Sequence, residues 1–489
     1  MQLINNIDII DLEGATMANG TSSLELMSRA KDAFISWFIS IKAAICTLDV
    51  ICGKGNNGAD GFLIAKGLWD RGYRVRVLHC DPQNTSANQD FRAVIQRKTD
   101  IEIIDISKAD DIPLPSTDAV LIDALLGNGI NRPLEGTLLN IVTKCNQLYP
   151  EIYAVDTPSG LGDMKDDITT AMRCTATLAF EYPKMSFFNP DVRQYTGVWS
   201  YTSIGLLTPP QGKYLSKTHM TLPEDLHMVL QKRAFTIHKG RLGRVLHIIG
   251  RHDMKGAGII AAQASLASGA GITHGYSLDG HALSNFPQIA WITSLKDDEV
   301  VSKMDVIAIG PGLGQTHDAR KCLDQKLMMK DTKLVLDADA LNIIADEGWI
   351  GRLPSGSILT PHIGEFNRLF PGCKTHHCRI QKQREVSQEY NISIVLKGPY
   401  TSTSDTEGHI YYTTTGNPAL AKGGSGDVLT GIVASLRARQ DLTPHQVGYA
   451  ASYIHGLAAD LYVTKHHEHT LTPYRLIKNI DSALLHLMR

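Results

Sequence analysis

The chain of 489 residues contains no run of about 18 uncharged apolar residues, so it offers no candidate for a membrane-spanning helix. Its eight cysteines form no C-x-x-C pair, which argues against a zinc ribbon or dithiol redox centre. Reduced thiols in a cytoplasmic protein are the expectation instead. The formal net charge is −2 and there is no long basic run, so nothing electrostatic calls for nucleic acid or a membrane surface. The opening MQLINNIDIIDLEG lacks a basic stretch followed by an apolar core and a small-residue cleavage site, and does not read as a secretory signal. Two clusters draw attention as metal ligands: Cys373, His376, His377 and Cys378 in CKTHHC, and His466, His467 and His469 in KHHEHT. Neither has a second half at zinc-site spacing, and both are expected to be exposed polar loops.

What remains is an ordinary globular composition, 43% hydrophobic and 20% charged, in a chain too long for one hydrophobic core. The apolar runs are short and bounded by turn residues. YRVRVLHC (73–80), AVLIDALLG (119–127), EIYAVDTPSG (151–160) and TATLAF (175–180) read as buried strands, with helical spacing between them, as in NGADGFLIAKGLWDRG (57–72). The pattern breaks in LLTPPQGKYLSKTHMTLPEDL (206–226), where Pro209, Pro210 and Gly212 sit without periodicity. It restarts with RVLHIIG (244–250), DVIAIGPGLG (305–314), KLVLDADAL (333–341), SILTPHIGE (357–365) and NISIVLKG (391–398). Strand–helix alternation predicts parallel sheets covered by helices, hence two α/β domains in series. The boundaries expected are 1–205 and 225–489, with 206–224 as the linker.

Open parallel sheets bind ligands at the carboxyl ends of their strands, and the unusual residues here fall at such ends. AKGGSGDVLTG (421–431) is a Gly-rich turn opening a helix whose apolar residues Val428, Leu429, Ile432, Val433 and Leu436 form one face. Free N–H groups at a helix start bind phosphate, and Asp427 in the first turn is placed to take a proton from an attacking hydroxyl. Dipole compensation would also explain an Asp there, but would not require four nearby glycines. In DADAL (337–341), Asp337 and Asp339 could orient Mg²⁺ or water, with helix capping as the plain alternative for Asp339. TPHIGE (360–365) adds His362 and Glu365; KGPYT (397–401) adds Lys397 and Thr401. In the first half, GKGNNGADG (53–61) looks like a phosphate loop, yet it lacks the closing Gly-Lys-Ser/Thr of a P-loop and crowds its turn with two Asn and an Asp.

The order GPGLG, DADAL, TPHIGE, KGPYT, NPALAKGGSGDVLTG resembles the ADP-dependent NAD(P)H-hydrate dehydratases of the ribokinase-like superfamily, over nearly all of residues 225–489. The departure is RHDMKGA (251–257), where relatives carry a small or aromatic residue. Residues 1–205 resemble the NAD(P)H-hydrate epimerase module. TSSLELMSRA (21–30), GNNGADG with Ala59 in place of a glycine, LIDALLGNGINRPLEG (121–136) and VDTPSGL (155–161) carry that likeness. The resemblance implies a Rossmann-like three-layer α/β/α domain followed by a ribokinase-like α/β domain.

It also implies an activity: epimerisation of R and S NAD(P)H hydrates, and ADP-dependent dehydration of the S epimer to NAD(P)H, AMP and phosphate. The implied catalytic residues are Asp427 for dehydration and Asp156, with Lys184, for epimerisation. The hydrate would lie on Asn56, Asn57, Gly58, Ala59 and Asp60, on Gly127, Asn128, Gly129, Ile130, Asn131, Arg132 and Pro133, and on Asp156. In the dehydratase it would lie on Ala257, Gly312, Gly314, His362 and Asp427. ADP or AMP would take Lys397, Gly398, Pro399, Tyr400 and Thr401 with Gly424 and Gly426. Mg²⁺ would accompany ADP. Asn57, Asp123 and Ser159 offer hard oxygens, which the resemblance reads as a potassium site. Gly55 and Gly58 are expected to let backbone approach pyrophosphate. If the glycine that Ala59 replaces needs positive φ, Ala59 would cost roughly 1 kcal/mol. A homo-oligomer is expected. The competing readings are a ribokinase-like kinase for a vitamin, pyrimidine alcohol or sugar, and a nucleotide-binding protein with a non-catalytic N-terminal domain.

Overall fold

The short apolar runs do form central strands. In a computed structural model, the chain is described outside residues 43–45, 81–85, 130–131, 163–169, 209–212, 215, 228, 232–233, 251–253, 280–285, 296–297, 330 and 489. It separates into two units, Leu3–Ser216 and Lys217–Arg489 with Met1–Gln2. Within the expected linker, Pro209, Pro210 and Gly212 lie outside the described residues, and Thr218–Met220 is a strand of the second unit.

The first unit is built on a seven-stranded sheet: β1 (Thr47–Cys52), β2 (Arg74–Cys80), β3 (Glu102–Ile106), β4 (Val120–Ala124), β5 (Ile152–Val155), β6 (Ala176–Phe180) and β7 (Val198–Thr202). The order is β3-β2-β1-β4-β5-β6-β7, and every pairing is parallel. Period-two alternation supplies both faces. Leu48, Val50 and Cys52 of β1 join a core with Phe34, Phe38 and Phe62, while Ile51 joins another with Leu121, Ile141 and Val142. The strand order reverses between β1 and β4, the switch point where a doubly wound sheet opens a crevice.

The second unit has ten strands: β8 (Thr218–Met220), β9 (Arg244–Ile249), β10 (Ile272–Ser277), β11 (Ala290–Trp291), β12 (Val306–Ile309), β13 (Leu334–Leu336), β14 (Ile358–Leu359), β15 (Ser393–Leu396), β16 (Thr401–Ser404) and β17 (Ile410–Thr413). Their order is β11-β10-β9-β12-β13-β14-β15-β16-β17-β8, with antiparallel pairs only around β16. Here the switch lies between β9 and β12. A Cβ on Gly250, after β9, would fall 1.6 Å from the Gly312 carbonyl oxygen after β12, so only glycine permits this approach.

Two expectations change. The helix Ser425–Arg437 was read as amphipathic, yet Thr430, Gly431, Ala434 and Ser435 are buried along with its apolar face. It runs against the helix Lys255–Ala267 so closely that a Cβ on Gly431 would lie 2.2 Å from Ala261 O. Cys373 and Cys378 are joined in a disulfide with Cα atoms 5.3 Å apart, because a turn and the start of helix His376–Tyr390 bring them together; the other six cysteines are free and buried. Among the described residues no cluster of three or more His, Cys, Asp or Glu could hold a metal ion, and no helix is long and apolar enough to cross a membrane.

Candidate functional site

In the first unit the site grows from the two loops at the switch point. After β1, a Cβ on Gly53 would lie 1.8 Å from Leu125 O and one on Gly58 only 1.9 Å from Gly53 O. These contacts press the β1 and β4 loops together. Gly55 differs: it is the N-cap of helix Asn56–Trp69, makes no side-chain cap, and a Cβ there would meet no protein atom. With no side-chain cap among the described residues, the first-turn N–H groups beside it can receive an anion. Ala59 lies inside this helix, buried, and is absent from the non-glycine residues at positive φ. The strain considered for it from the sequence does not arise.

Asp123 ends β4 fully buried. Its Oδ1 accepts from Ser159 Oγ (2.6 Å) and Leu125 N (3.2 Å), and its Oδ2 from Ser159 N (2.7 Å). Burial pushes this carboxyl up to about 6, against the pull of those hydrogen bonds. Asn57 Nδ2 donates to Leu126 O (2.9 Å), and Leu126 N to Ser159 Oγ (2.8 Å), so the three residues converge on one turn.

Asp156, just past β5, has φ +66, an uncommon conformation for any residue but glycine. Its Oδ1 accepts from Phe180 N (2.9 Å) and pairs with Lys184 Nζ at 2.8 Å. Lys184 is 1% exposed. Asp60, in the first turn of its helix, has an Oδ1 without a hydrogen-bond partner among the described residues. Burial, then Asp156 and Glu13, hold it well above the usual carboxylate range. Thr157 Oγ1 reaches Asn128 Oδ1 at 3.5 Å, and a Cβ on Gly127 would touch Asn57. Arg132 is exposed and Pro133 half-buried; Ile130 and Asn131 lie outside the described residues.

In the second unit the strand ends assemble a denser network. A Cβ on Gly310 would lie 1.7 Å from Asp337 O, which fixes the end of β13 against that of β12. Asp337 Oδ1 accepts from Lys397 Nζ (2.8 Å) and its Oδ2 from Thr430 Oγ1 (2.6 Å). The next residue, Ala338, sits at φ +46. Asp339 neither caps its helix nor stands free: its Oδ2 accepts from Gly314 N (2.8 Å), pinning the GPGLG turn. Gly312, at φ +63, approaches Met254 O, and its Cβ direction points at Ala257.

His362 caps helix Ile363–Leu369, and its N–H donates to Glu365 Oε2 (2.8 Å). It bridges in parallel to Lys397, the residue that opens KGPYT. Thr401 Oγ1 closes that turn on Gly398 O (3.3 Å), beside the exposed Pro399 and buried Tyr400. Burial would push the Lys397 ammonium down, but Asp337, Glu365 and Asp427 more than offset this and hold it above its ordinary value.

Gly424, at φ +92, caps helix Ser425–Arg437, and a Cβ on Gly426 would sit 3.4 Å from Lys397 Nζ. Lys397 and the Gly-rich turn are therefore neighbours. Asp427, in the same first turn, is pushed up to about 6 by burial and Asp337, against Lys397, with Glu365 adding to the rise. From behind, His455 Nε2 lies 2.9 Å from Ser425 O; burial pushes this imidazole down to about 4, so it is neutral and its N–H donates.

Three contributors were given no role from the sequence. Thr430 stands in AKGGSGDVLTG but looked like one more helix residue, His455 lies in an Ala-rich helix, and Glu13 belongs to no motif.

Comparison with known proteins places the chain in a family. Residues 245–482 match the family described as NAD(P)H-hydrate dehydratase, and residues 23–186 the family described as YjeF-related protein N-terminus. A bifunctional NAD(P)H-hydrate repair enzyme of Coxiella burnetii is 31% identical over 475 residues, covering 94% of this chain and 94% of its own. A ribokinase-like superfamily protein of Enterococcus faecalis V583 matches in structure at TM-score 0.50 and 26% identity, over 57% of this chain and 99% of that one. An ADP/ATP-dependent NAD(P)H-hydrate dehydratase of Bacillus subtilis, co-crystallised with ATP and Mg²⁺, matches at TM-score 0.48 and 28% identity, over 55% of this chain and 98% of its own. With a relative this similar spanning almost its entire length, this chain belongs to the bifunctional NAD(P)H-hydrate repair enzymes.

Proposed function

We propose that the two units carry out successive steps on one damaged cofactor, with the roles assigned residue by residue as follows. NAD(P)H that has added water across a ring double bond carries a hydroxyl at C6, in two epimers. In the second unit Asp427 takes the proton of the S epimer's hydroxyl as its oxygen attacks the terminal phosphoryl group of ADP. AMP leaves, and the N–H groups at Gly424 and Gly426, with Lys397, stabilise the charge on the transferred group. Phosphate then departs from C6, a proton leaves the ring, and the dihydronicotinamide double bond returns. Gly398–Thr401 hold the nucleotide; Ala257, Gly312, Gly314 and His362 line the hydrate.

The observation that carries this reading is Asp427 itself. It is a carboxyl in the first turn of a Gly-capped helix, placed beside Lys397 and pushed up to about 6, near the pH at which a base must work. Mg²⁺ is proposed to enter with ADP, bound to its phosphates.

In the first unit Asp156, ion-paired to Lys184, exchanges protons at C6, while Asn56–Asp60, Gly127–Pro133 and Asp156 itself hold the dinucleotide. Asn57, Asp123 and Ser159 are proposed to hold potassium. In favour of this, Asp123 is a fully buried carboxyl with no cationic side chain pairing with it among the described residues; its oxygens accept only from Ser159 Oγ and the N–H groups of Ser159 and Leu125. A bound cation would neutralise Asp123 and keep the two loops together. We place the reaction in the cytoplasm.

The test is to supply S hydrate with ADP to wild type and to Asp427→Ala. Wild type should release AMP and free phosphate with return of dihydronicotinamide absorbance; the variant should bind nucleotide and release none. A stable phosphorylated hydrate as end product would instead make the second unit a kinase.

A further inference from the structure

The helix Asn6–Ala18 buries Ile9, Leu12 and Thr16, positions i, i+3 and i+7 of one inward stripe. The i+4 position of that stripe is Glu13, half-buried. A carboxyl at a core-facing position is costly unless something holds it, and among the described residues no hydrogen bond or ion pair does. The stripe packs toward the strands that carry the catalytic cluster: Ile9 and Leu12 share a core with Val155, which precedes Asp156, and with Phe180, whose N–H donates to Asp156. Asp156 from the end of β5 and Lys184 from beyond β6 act on it electrostatically, and Glu13 in turn acts on Asp60 in the first turn of helix Asn56–Trp69. Two carboxyls, Asp156 and Glu13, thus act on one ammonium, which is already paired with Asp156 at 2.8 Å, and a third, Asp60, feels both of those carboxyls. One cation does not balance three carboxylates in a buried space, so the cluster retains protons at neutral pH.

We infer that Glu13 is a catalytic acid–base residue of the epimerase site, working on the C6 hydroxyl as the counterpart of Asp156. The inference rests on the epimerase reading of the first unit and deepens it. In one direction the protonated Glu13 gives its proton to the C6 hydroxyl. The C6–O bond breaks, water leaves, and the lone pair of the ring nitrogen fills the gap to give an iminium cation. Water adds to C6 from the other face, forming a new C6–O bond, and Asp156 takes the surplus proton. The hydrate is restored with inverted configuration, and the proton has moved from Glu13 to Asp156, from which solvent returns it. The reverse epimerisation uses the same two groups with their roles exchanged. Burial and Asp156 push Glu13 up to about 7, with Lys184 pulling the other way, which suits a group that must both give and take a proton near neutrality. Burial, then Asp156 and Glu13, push the neighbouring Asp60 carboxyl up as well.

The experiment measures interconversion of R and S hydrate against pH for wild type, Glu13→Gln and Glu13→Asp in the full chain, with thermal unfolding of each. For wild type, activity should fall as pH rises through about 7 and Glu13 loses its proton. Glu13→Gln should lose about 100-fold in kcat with KM within about threefold, and should lose that alkaline limb, because an amide has no acidic proton to give. Glu13→Asp keeps a titrating carboxyl and should retain a measurable rate with a limb. If Glu13→Gln is as active as wild type, or is slower with the limb unmoved, the assignment is overturned. A folded Glu13→Asp without any limb overturns it as well, even if Glu13→Gln fails to fold. A wild-type chain that does not interconvert the epimers at all overturns the epimerase reading, and this inference with it.

Discussion

The two carboxyls proposed as bases, Asp156 and Asp427, stand in opposite electrostatic arrangements. In the first, Asp156 owns its lysine: Lys184 is buried and lies 2.8 Å from the reacting carboxyl. In the second, the lysine is held by someone else. Lys397 donates to Asp337, and Asp427 is left with burial and two neighbouring acids that push it up to about 6. Both sites lie at the carboxyl ends of parallel strands on one side of the point where strand order reverses, and both have a non-glycine residue at positive φ just past a strand, Asp156 and Ala338. The shared frame is therefore a property of open parallel sheets; the difference in charge is what assigns the chemistry. A base that must work beside incoming phosphates is better left without a strongly bound cation of its own, so that the lysine can serve the transferred group.

Breaking each base separately should separate the two activities. Asp427→Ala is expected to cost dehydration about 10³-fold or more while R and S hydrates still interconvert, checked by phosphate release and by chromatographic resolution of the epimers. Asp156→Asn should do the converse, lowering interconversion about 100-fold and leaving dehydration of pure S hydrate at its wild-type rate. If either variant lost both activities while remaining folded, the division of labour would be wrong.

Glycine substitutions sharpen the contrast between the two crevices. Gly312→Ala forces a Cβ to 2.1 Å from Met254 O at φ +63, and should destabilise the second unit by about 1–3 kcal/mol in thermal unfolding. Gly55→Ala meets no protein atom, so stability should be nearly unchanged and any loss should appear as weaker hydrate binding by titration.

Charge can be tested next. Asp427 must be ionised to accept a proton, so dehydration should fall as pH drops through about 6. Asp337 raises that value, and removing its charge in Asp337→Asn should move the acid limb to lower pH. A limb that stays in place would mean that Asp337 does not govern the base. The smallest effect is expected from Ala59→Gly. Because Ala59 is a buried helical residue at ordinary φ, glycine should cost up to about 1 kcal/mol of stability, with epimerisation unchanged.

Much of this architecture could be read in the sequence where local pattern and tertiary role agree. VLIDA of β4 is apolar because a parallel strand is buried on both faces, and the glycines after β9, β12 and β1 mark backbone contacts no Cβ would allow. Reading failed where tertiary partners override local pattern. Strand β16 is TSTS, with no apolar residue. It is buried because Ser402 Oγ donates to Gln383 Oε1 (2.8 Å) and Ser404 pairs with Ser387 (2.6 Å), partners supplied by a distant helix. In KLVLDADAL the strand does stop at Leu336 and a helix begins at Ala338, so Asp337 and Asp339 lie at a strand end as their pattern suggested, but nothing local told that Asp339 would accept from Gly314 N. The disulfide had no spacing signature, and Glu13 looked like any polar residue until Ile9, Leu12 and Thr16 showed which way its helix faces.

The most direct test of two cooperating units uses a mixture of both NADH hydrate epimers with the full chain, Mg²⁺ and excess ADP, and follows the return of dihydronicotinamide absorbance. Two working units predict complete recovery, passing the S fraction without a break and outrunning spontaneous epimerisation. Recovery that halts at the S fraction would contradict the account of the first unit, and no recovery with ADP would contradict that of the second.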